Sequence, residues 1–124
     1  MPTLYVVATP IGNLSDMSPR AIETLRSVQL IAAEDTRVTM KLLNAFDIST
    51  PLTSCHEHNE RSKAVQIAER MLAENIDVAV TTDAGTPCIS DPGSVLVREA
   101  TERGIPAVAV SGPTAMASAL SVSG

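Results

Sequence analysis

Four short aliphatic runs, at residues 4–8, 28–33, 76–82 and 106–110, and a more polar strand candidate at 51–55 recur along the chain, with a helix-forming pattern between each and the next. Leu4-Tyr5-Val6-Val7-Ala8 lacks the polar alternation of a half-exposed strand and suits one buried on both faces. Ser18-Pro19 reads as an N-cap followed by proline at the first helical position. Ala21, Ile22, Leu25 and Val28 follow at helical spacing, which predicts a helix over residues 19–27. A short helix over 39–46 carries Met40, Leu42, Leu43 and Phe46. Over 59–75, Ala64, Val65, Ile67, Ala68, Met71 and Leu72 form one apolar stripe with charges opposite. Asp91-Pro92 repeats the cap-and-proline signal for a helix over 91–103, and Gly104 fits the position after its end. A last helix of small residues is expected over 114–122. Parallel strands need crossovers, so this alternation predicts an α/β domain of three layers: a mostly parallel five-stranded sheet flanked by helices.

That architecture sorts the connections. Ligands of open parallel sheets bind outside the carboxyl ends of the strands. Residues 9–17, 34–39, 55–59, 83–90 and 111–113 all follow strands, so all five segments are expected on one rim. The unusual Gly, Pro and polar residues are concentrated in them. The opposite connections, such as Arg103-Gly104-Ile105, are short and plain.

Composition narrows the function. With 124 residues the chain is expected to be one domain, and with 2% aromatic residues its core must be aliphatic. A formal charge of −5, with one Tyr, one Phe and no Trp, argues against a self-sufficient nucleic-acid binder or a base-stacking platform. Cys55 and Cys88 do not make a disulfide framework and read as small, partly buried thiols in a reducing compartment. No leader is evident and no apolar run approaches the roughly 18 residues of a membrane span. A soluble cytoplasmic protein is expected.

The rim segments carry several candidate chemistries. In Thr9-Pro10-Ile11-Gly12-Asn13, Gly12 allows either close backbone approach to a ligand or a plain turn. The segment lacks the spacing of a dinucleotide fingerprint or a P-loop. Asp83-Ala84-Gly85-Thr86-Pro87 suits a stiff wall that bonds a small molecule through its main chain, with Asp83 orienting polar atoms; Asp91 reads as a cap. Gly112-Pro113-Thr114-Ala115-Met116 leaves room at a helix start whose N–H groups are free. Glu34-Asp35-Thr36-Arg37 either holds a substrate and a general base or forms a local ion pair with a cap. His56-Glu57-His58-Asn59 contains a His-x-His pair, but no further ligand is evident and no metal is expected; substrate binding, or a polar loop capped by Asn59, fits better.

Taken in order, LYVVATPIGNLSD, AAEDTR, HEHNE, DAGTPCISDPG and SGPTA resemble the tetrapyrrole methylase superfamily, most closely its small-subunit ribosomal RNA 2′-O-methyltransferase I family. The resemblance covers essentially the whole chain. It implies the N-terminal α/β domain of a two-domain methyltransferase, with S-adenosylmethionine held between the domains and the C-terminal domain absent from this chain. Carried over residue by residue, cofactor contacts fall on Pro10, Ile11, Gly12, Asp83, Ala84, Gly85, Thr86, Ile89, Thr114, Ala115 and Met116. The substrate side falls on Arg37, His56, Glu57, His58 and Asn59, with Asp35 and Glu34 as candidate catalytic acids. Many tetrapyrrole methylases carry Gly-Asp-Pro where this chain has Gly85-Thr86-Pro87, which favours the RNA branch.

The resemblance implies 2′-O-methylation of a cytidine ribose in small-subunit ribosomal RNA, no membrane partner, and the homodimer common in the superfamily. Two alternatives stand beside it. One is a methylase of the same architecture acting on a porphyrin or corrin. The other is a non-enzymatic module binding a ligand or partner through the same rim.

Overall fold

The computed structural model describes residues 2–8, 17–33, 36–55, 60–82 and 92–110. Along them the chain alternates β1 (Leu4–Ala8), α1 (Pro19–Ser27), β2 (Leu30–Ala33), α2 (Thr36–Ala45), β3 (Leu52–Ser54), α3 (Glu60–Glu74), β4 (Val78–Thr82), α4 (Pro92–Glu102) and β5 (Ala107–Val110). The strands form a five-stranded sheet in the order β3-β2-β4-β1-β5. Every pairing is parallel, with Tyr5 opposite both Ala79 and Val108, and Ala33 opposite both Ser54 and Thr81. The expected α/β class and sheet are both present.

Side chains leave the strands alternately to two cores. Leu4, Val6, Leu30, Ala32, Val78 and Val80 meet Ala64, Ile67, Ala68 and Met71 of α3 and Leu96 and Ala100 of α4. Val7, Ile31, Ala79 and Val110 meet Ala21 and Leu25 of α1 and Leu42 and Leu43 of α2. Connection handedness explains the partition. The chain steps from β1 to β2 to β3 in one direction across the sheet, then returns through β4 to β5. Right-handed crossovers in opposite directions lie on opposite faces. Each fully buried Leu, Ile or Val contributes about 1.5–3 kcal/mol by leaving water. The core is aliphatic, as composition requires.

Helix ends are chemically specified. Ser18 caps α1, its hydroxyl accepting from the Ala21 amide at 3.1 Å, with Pro19 beginning the helix. The other three described helices end in one shared way. Asp47, Asn75 and Gly104 take left-handed backbone, with φ of 56°, 54° and 80°. The next amide in each case bonds back five residues: Ile48 to Leu43, Ile76 to Met71, and Ile105 to Ala100. This is the Schellman arrangement, and the isoleucine after each left-handed residue packs into the core beside the carbonyl's own residue. The sequence reading found this only at Gly104.

The amino-terminal edge is plain in length but tightly bonded. Asp77 accepts the Thr3 amide at 2.9 Å through its carboxylate, and the Gln29 amide at 3.0 Å through its carbonyl. The Gln29 side-chain oxygen in turn accepts the Asp77 amide at 2.7 Å. Arg103 joins the two helices of its face, reaching Glu99 at 2.7 Å and Glu69 at 3.9 Å.

Four expectations need correction. α2 begins at Thr36, three residues before the expected start, because Thr36, Arg37 and Val38 contribute no apolar periodicity and Val38 is 53% exposed. Met40 does not face the core; Thr39, Leu42 and Leu43 do. Leu72 leaves the α3 stripe and is 48% exposed, since it lies about 100° round the helix from Met71. Cys55 is fully rather than partly buried. Cys88, the caps at Asn59 and Asp91, and the helix expected over 114–122 lie outside the described residues.

A Cβ placed on Gly104 would meet nothing within 4 Å, so its cost is conformational alone. Gly104→Ala is expected to lower stability by about 1–2 kcal/mol, read by denaturant titration with an unchanged slope.

Candidate functional site

Because all five strands run the same way, Ala8, Ala33, Ser54, Thr82 and Val110 end at one rim of the sheet. The expected convergence of the strand-following segments therefore holds for their points of departure. Spatial order adds a division that chain order hides. β4, β1 and β5 are neighbours, and they launch the segments of Asp83–Ile89, Pro10–Gly12 and Thr114–Met116. Neighbouring strands lie about 4.8 Å apart, so these departures span about 10 Å. β2 and β3 adjoin on the other side and launch Glu34-Asp35 and His56–Asn59. The strands on one side of the rim precede every cofactor candidate in the chain, and those on the other precede every substrate-side candidate.

The boundary falls between β2 and β4. After β2 the chain turns to α2 on one face, and after β4 it continues to α4 on the other. Adjacent strands whose connections leave to opposite faces open a crevice between them, the usual ligand position in such sheets. The strand ends beside it are small: Ala33 is fully buried, and Thr81 is buried on the α1–α2 face. Thr39, on the second turn of α2, is also buried, with its hydroxyl 3.4 Å from that of Thr81. The sequence reading passed over both threonines. Their only signal was a polar residue on the buried phase of a strand and of a helix.

Of the named site residues, Arg37 is described: it stands in the first turn of α2 with its side chain exposed at the rim. Glu34 and Asp35 lie outside the described residues, but they fill a two-residue gap whose flanks, Ala33 and Thr36, are both fixed in regular structure. Also outside are Pro10, Ile11 and Gly12; His56, Glu57, His58 and Asn59; Asp83, Ala84, Gly85, Thr86 and Ile89; and Thr114, Ala115 and Met116. Among the described residues no group of three metal-ligating side chains occurs, and none of their helices is long and apolar enough to cross a membrane. A groove of about 420 Å³, lined by Leu43, Asn44, Ile48, Thr50 and Leu52 among others, lies where α2 turns into β3. That is the start of the strand, away from the rim.

Charge divides the same way. Asp16, Glu34, Asp35, Glu57, Asp83 and Asp91 all fall between a strand's carboxyl end and the next helix, whereas no Lys or Arg does. The acidity of the chain is thus concentrated in the rim segments, and the remaining charges nearly balance. Such a rim favours a cationic ligand and repels a polyanion.

Comparison with known proteins gives the family and the fold. Residues 3–124 match the profile of the tetrapyrrole (corrin/porphyrin) methylases. The ribosomal RNA small subunit methyltransferase I of Pseudomonas aeruginosa is 55% identical over 122 residues, covering 98% of this chain and 43% of that protein. The Bacillus subtilis protein of the same name is 50% identical over the full 124 residues and 42% of its own length. The chain therefore spans under half the length of these relatives. Among solved structures, a uroporphyrin III C-methyl transferase from Thermus thermophilus superposes with a TM-score of 0.67 at 14% identity, covering 89% of this chain and 48% of that one. Diphthine synthase gives a TM-score of 0.67 at 16% identity, over 89% of this chain and 44% of its own. At such low identity these two likenesses speak for the fold.

Proposed function

The chain belongs to the tetrapyrrole methylase family, and from that premise we propose that it is the N-terminal half of an S-adenosylmethionine-dependent methyltransferase acting on small-subunit ribosomal RNA. The observation that carries the reading is the division of the rim, with every cofactor candidate leaving β4, β1 or β5 and every substrate-side candidate leaving β2 or β3. The RNA branch is supported by the roughly 50% identity to relatives bearing that name. The finer proposal is transfer to the 2′-oxygen of a cytidine ribose, by a cytoplasmic enzyme that pairs as a homodimer.

The chain's residues suit the donor. It is a cationic sulfonium, and the stretches between each strand and the next helix carry six acids and no Lys or Arg. When bound, S-adenosylmethionine supplies a methyl group already activated by the positive sulfur, so little is asked of the protein beyond alignment and proton removal. Main-chain groups of Pro10–Gly12, Ala84–Thr86 and Thr114–Ala115 would hold it, their small side chains leaving room. Across the β2–β4 boundary, Asp35 is the proposed proton acceptor. Its carboxylate would take the proton of the ribose hydroxyl during transfer. Arg37, exposed at the start of α2, would meet an RNA phosphate.

The acidic rim cannot by itself attract RNA. The proposal therefore assigns the basic surface to the other half of the protein, or to a preassembled subunit that presents the nucleotide.

In the full-length protein, Asp35→Ala is expected to lower methyl transfer to small ribosomal subunits by about 100-fold or more, while donor affinity by calorimetry persists. Wild-type turnover in that variant would retire Asp35 as the base. A labelled-donor assay that methylates uroporphyrinogen and leaves the subunits unmodified would move the chain to the tetrapyrrole branch. The isolated 124-residue domain is expected to bind RNA weakly at any ionic strength; tight, salt-sensitive binding would contradict the division of labour between the halves.

A further inference from the structure

Among the described residues three polar side chains are buried: Thr24, Thr39 and Thr81. Thr24 is accounted for locally, since its hydroxyl donates to the Arg20 carbonyl one helical turn back at 2.8 Å. The other two meet across elements 42 residues apart in the chain, 3% and 4% exposed. A buried hydroxyl without a partner costs about 1–3 kcal/mol. An apolar side chain such as valine would fill either position without that cost, as Val78 and Val80 do on the same strand.

Their location gives the pair a use. Thr81 lies opposite Ala33 in the sheet, and Ala33 is the last residue before the Glu34-Asp35 connection. Thr39 stands three residues after Thr36, where that connection becomes helix. Two residues beyond Thr81 the segment of Asp83–Thr86 begins. The hydroxyl contact thus spans the boundary between the substrate side and the cofactor side of the rim, close to where both leave regular structure.

We propose that Thr39 and Thr81 are positioning residues that hold the acidic β2–α2 connection in register with the donor-binding segment after β4. The inference rests on the methyltransferase reading. Neither hydroxyl touches the reacting atoms. The pair acts by fixing the first two turns of α2 against the end of β4, and so the distance between the proton acceptor and the donor's methyl group. Misplacement by about 1 Å at such a distance costs on the order of 100-fold in rate.

Valine keeps the shape of threonine and removes the hydroxyl. In the full-length protein, Thr39→Val and Thr81→Val are each expected to lower kcat on small ribosomal subunits at least tenfold. The donor dissociation constant should stay within about threefold, and Thr39→Ser should recover turnover. The decisive variant is the double change Thr39→Val with Thr81→Val. Removing both hydroxyls leaves no orphaned polar group, so the melting temperature should return to the wild-type value while kcat remains low. If the double variant recovers turnover together with stability, the pair is only packing and the inference is overturned. A tenfold loss of donor affinity in either single variant also overturns it, since the pair then acts within the donor site. A wild-type protein that leaves the subunits unmethylated overturns the functional reading itself and this inference with it, a result recognisable because it appears before any substitution.

Discussion

A parallel strand cannot be reached from its neighbour by a tight turn, so the chain must cross a face of the sheet each time it adds one. In this domain that requirement governs nearly everything else. It places α1 and α2 on one face and α3 and α4 on the other. It divides the aliphatic side chains of β1, β2 and β4 between two cores, and it sends all five strand ends to the same rim. The edge strand β3 is three half-buried residues, and burial holds the register in the central strands β2, β4 and β1. A one-residue slip would carry Val78 and Val80 to the wrong core, next to α1 and α2.

The two edges of the sheet then take different chemistry. At the amino edge Asp77 and Gln29 exchange hydrogen bonds through side chain and backbone, and Asp77 also holds Thr3. Its polar groups are consumed in joining β1, β2 and β4. Six of the acids fall in the stretches between a strand's carboxyl end and the next helix, outside the described residues.

Much of this was legible in the sequence because its signals are local. Ser18-Pro19 fixed the start of α1 to the residue, and unalternating runs such as Leu4–Ala8 marked buried strands. Three features were not legible, each for a physical reason. The early start of α2 was hidden because Thr36 to Val38 bury nothing apolar, so the helix there shows no periodicity. The shared helix ends at Asp47 and Asn75 were missed because left-handed backbone is expected of glycine, and only the isoleucine after each signals the motif. The division of the rim required the order of strands in space. β1 and β2 follow one another in the chain yet are separated by β4, and no property of their own residues records it. Most of the site residues proposed from the sequence fall between the described elements, so the structure bears on where those segments begin and end.

The central place of β4 also has a consequence for how the domain comes into being. β1 and β2 cannot pair with each other, and the strand that bridges them, Val78–Thr82, is made well after both. During synthesis β1, and the edge of β2 that does not pair with β3, must leave the ribosome unsatisfied and wait, at the 5–20 residues per second or so of translation, until that bridge follows. The nascent chain is therefore most exposed to aggregation and to chaperone capture in this interval. Slow codons before β4 would prolong that exposure, whereas a pause after it has cleared the exit tunnel would give the sheet time to close.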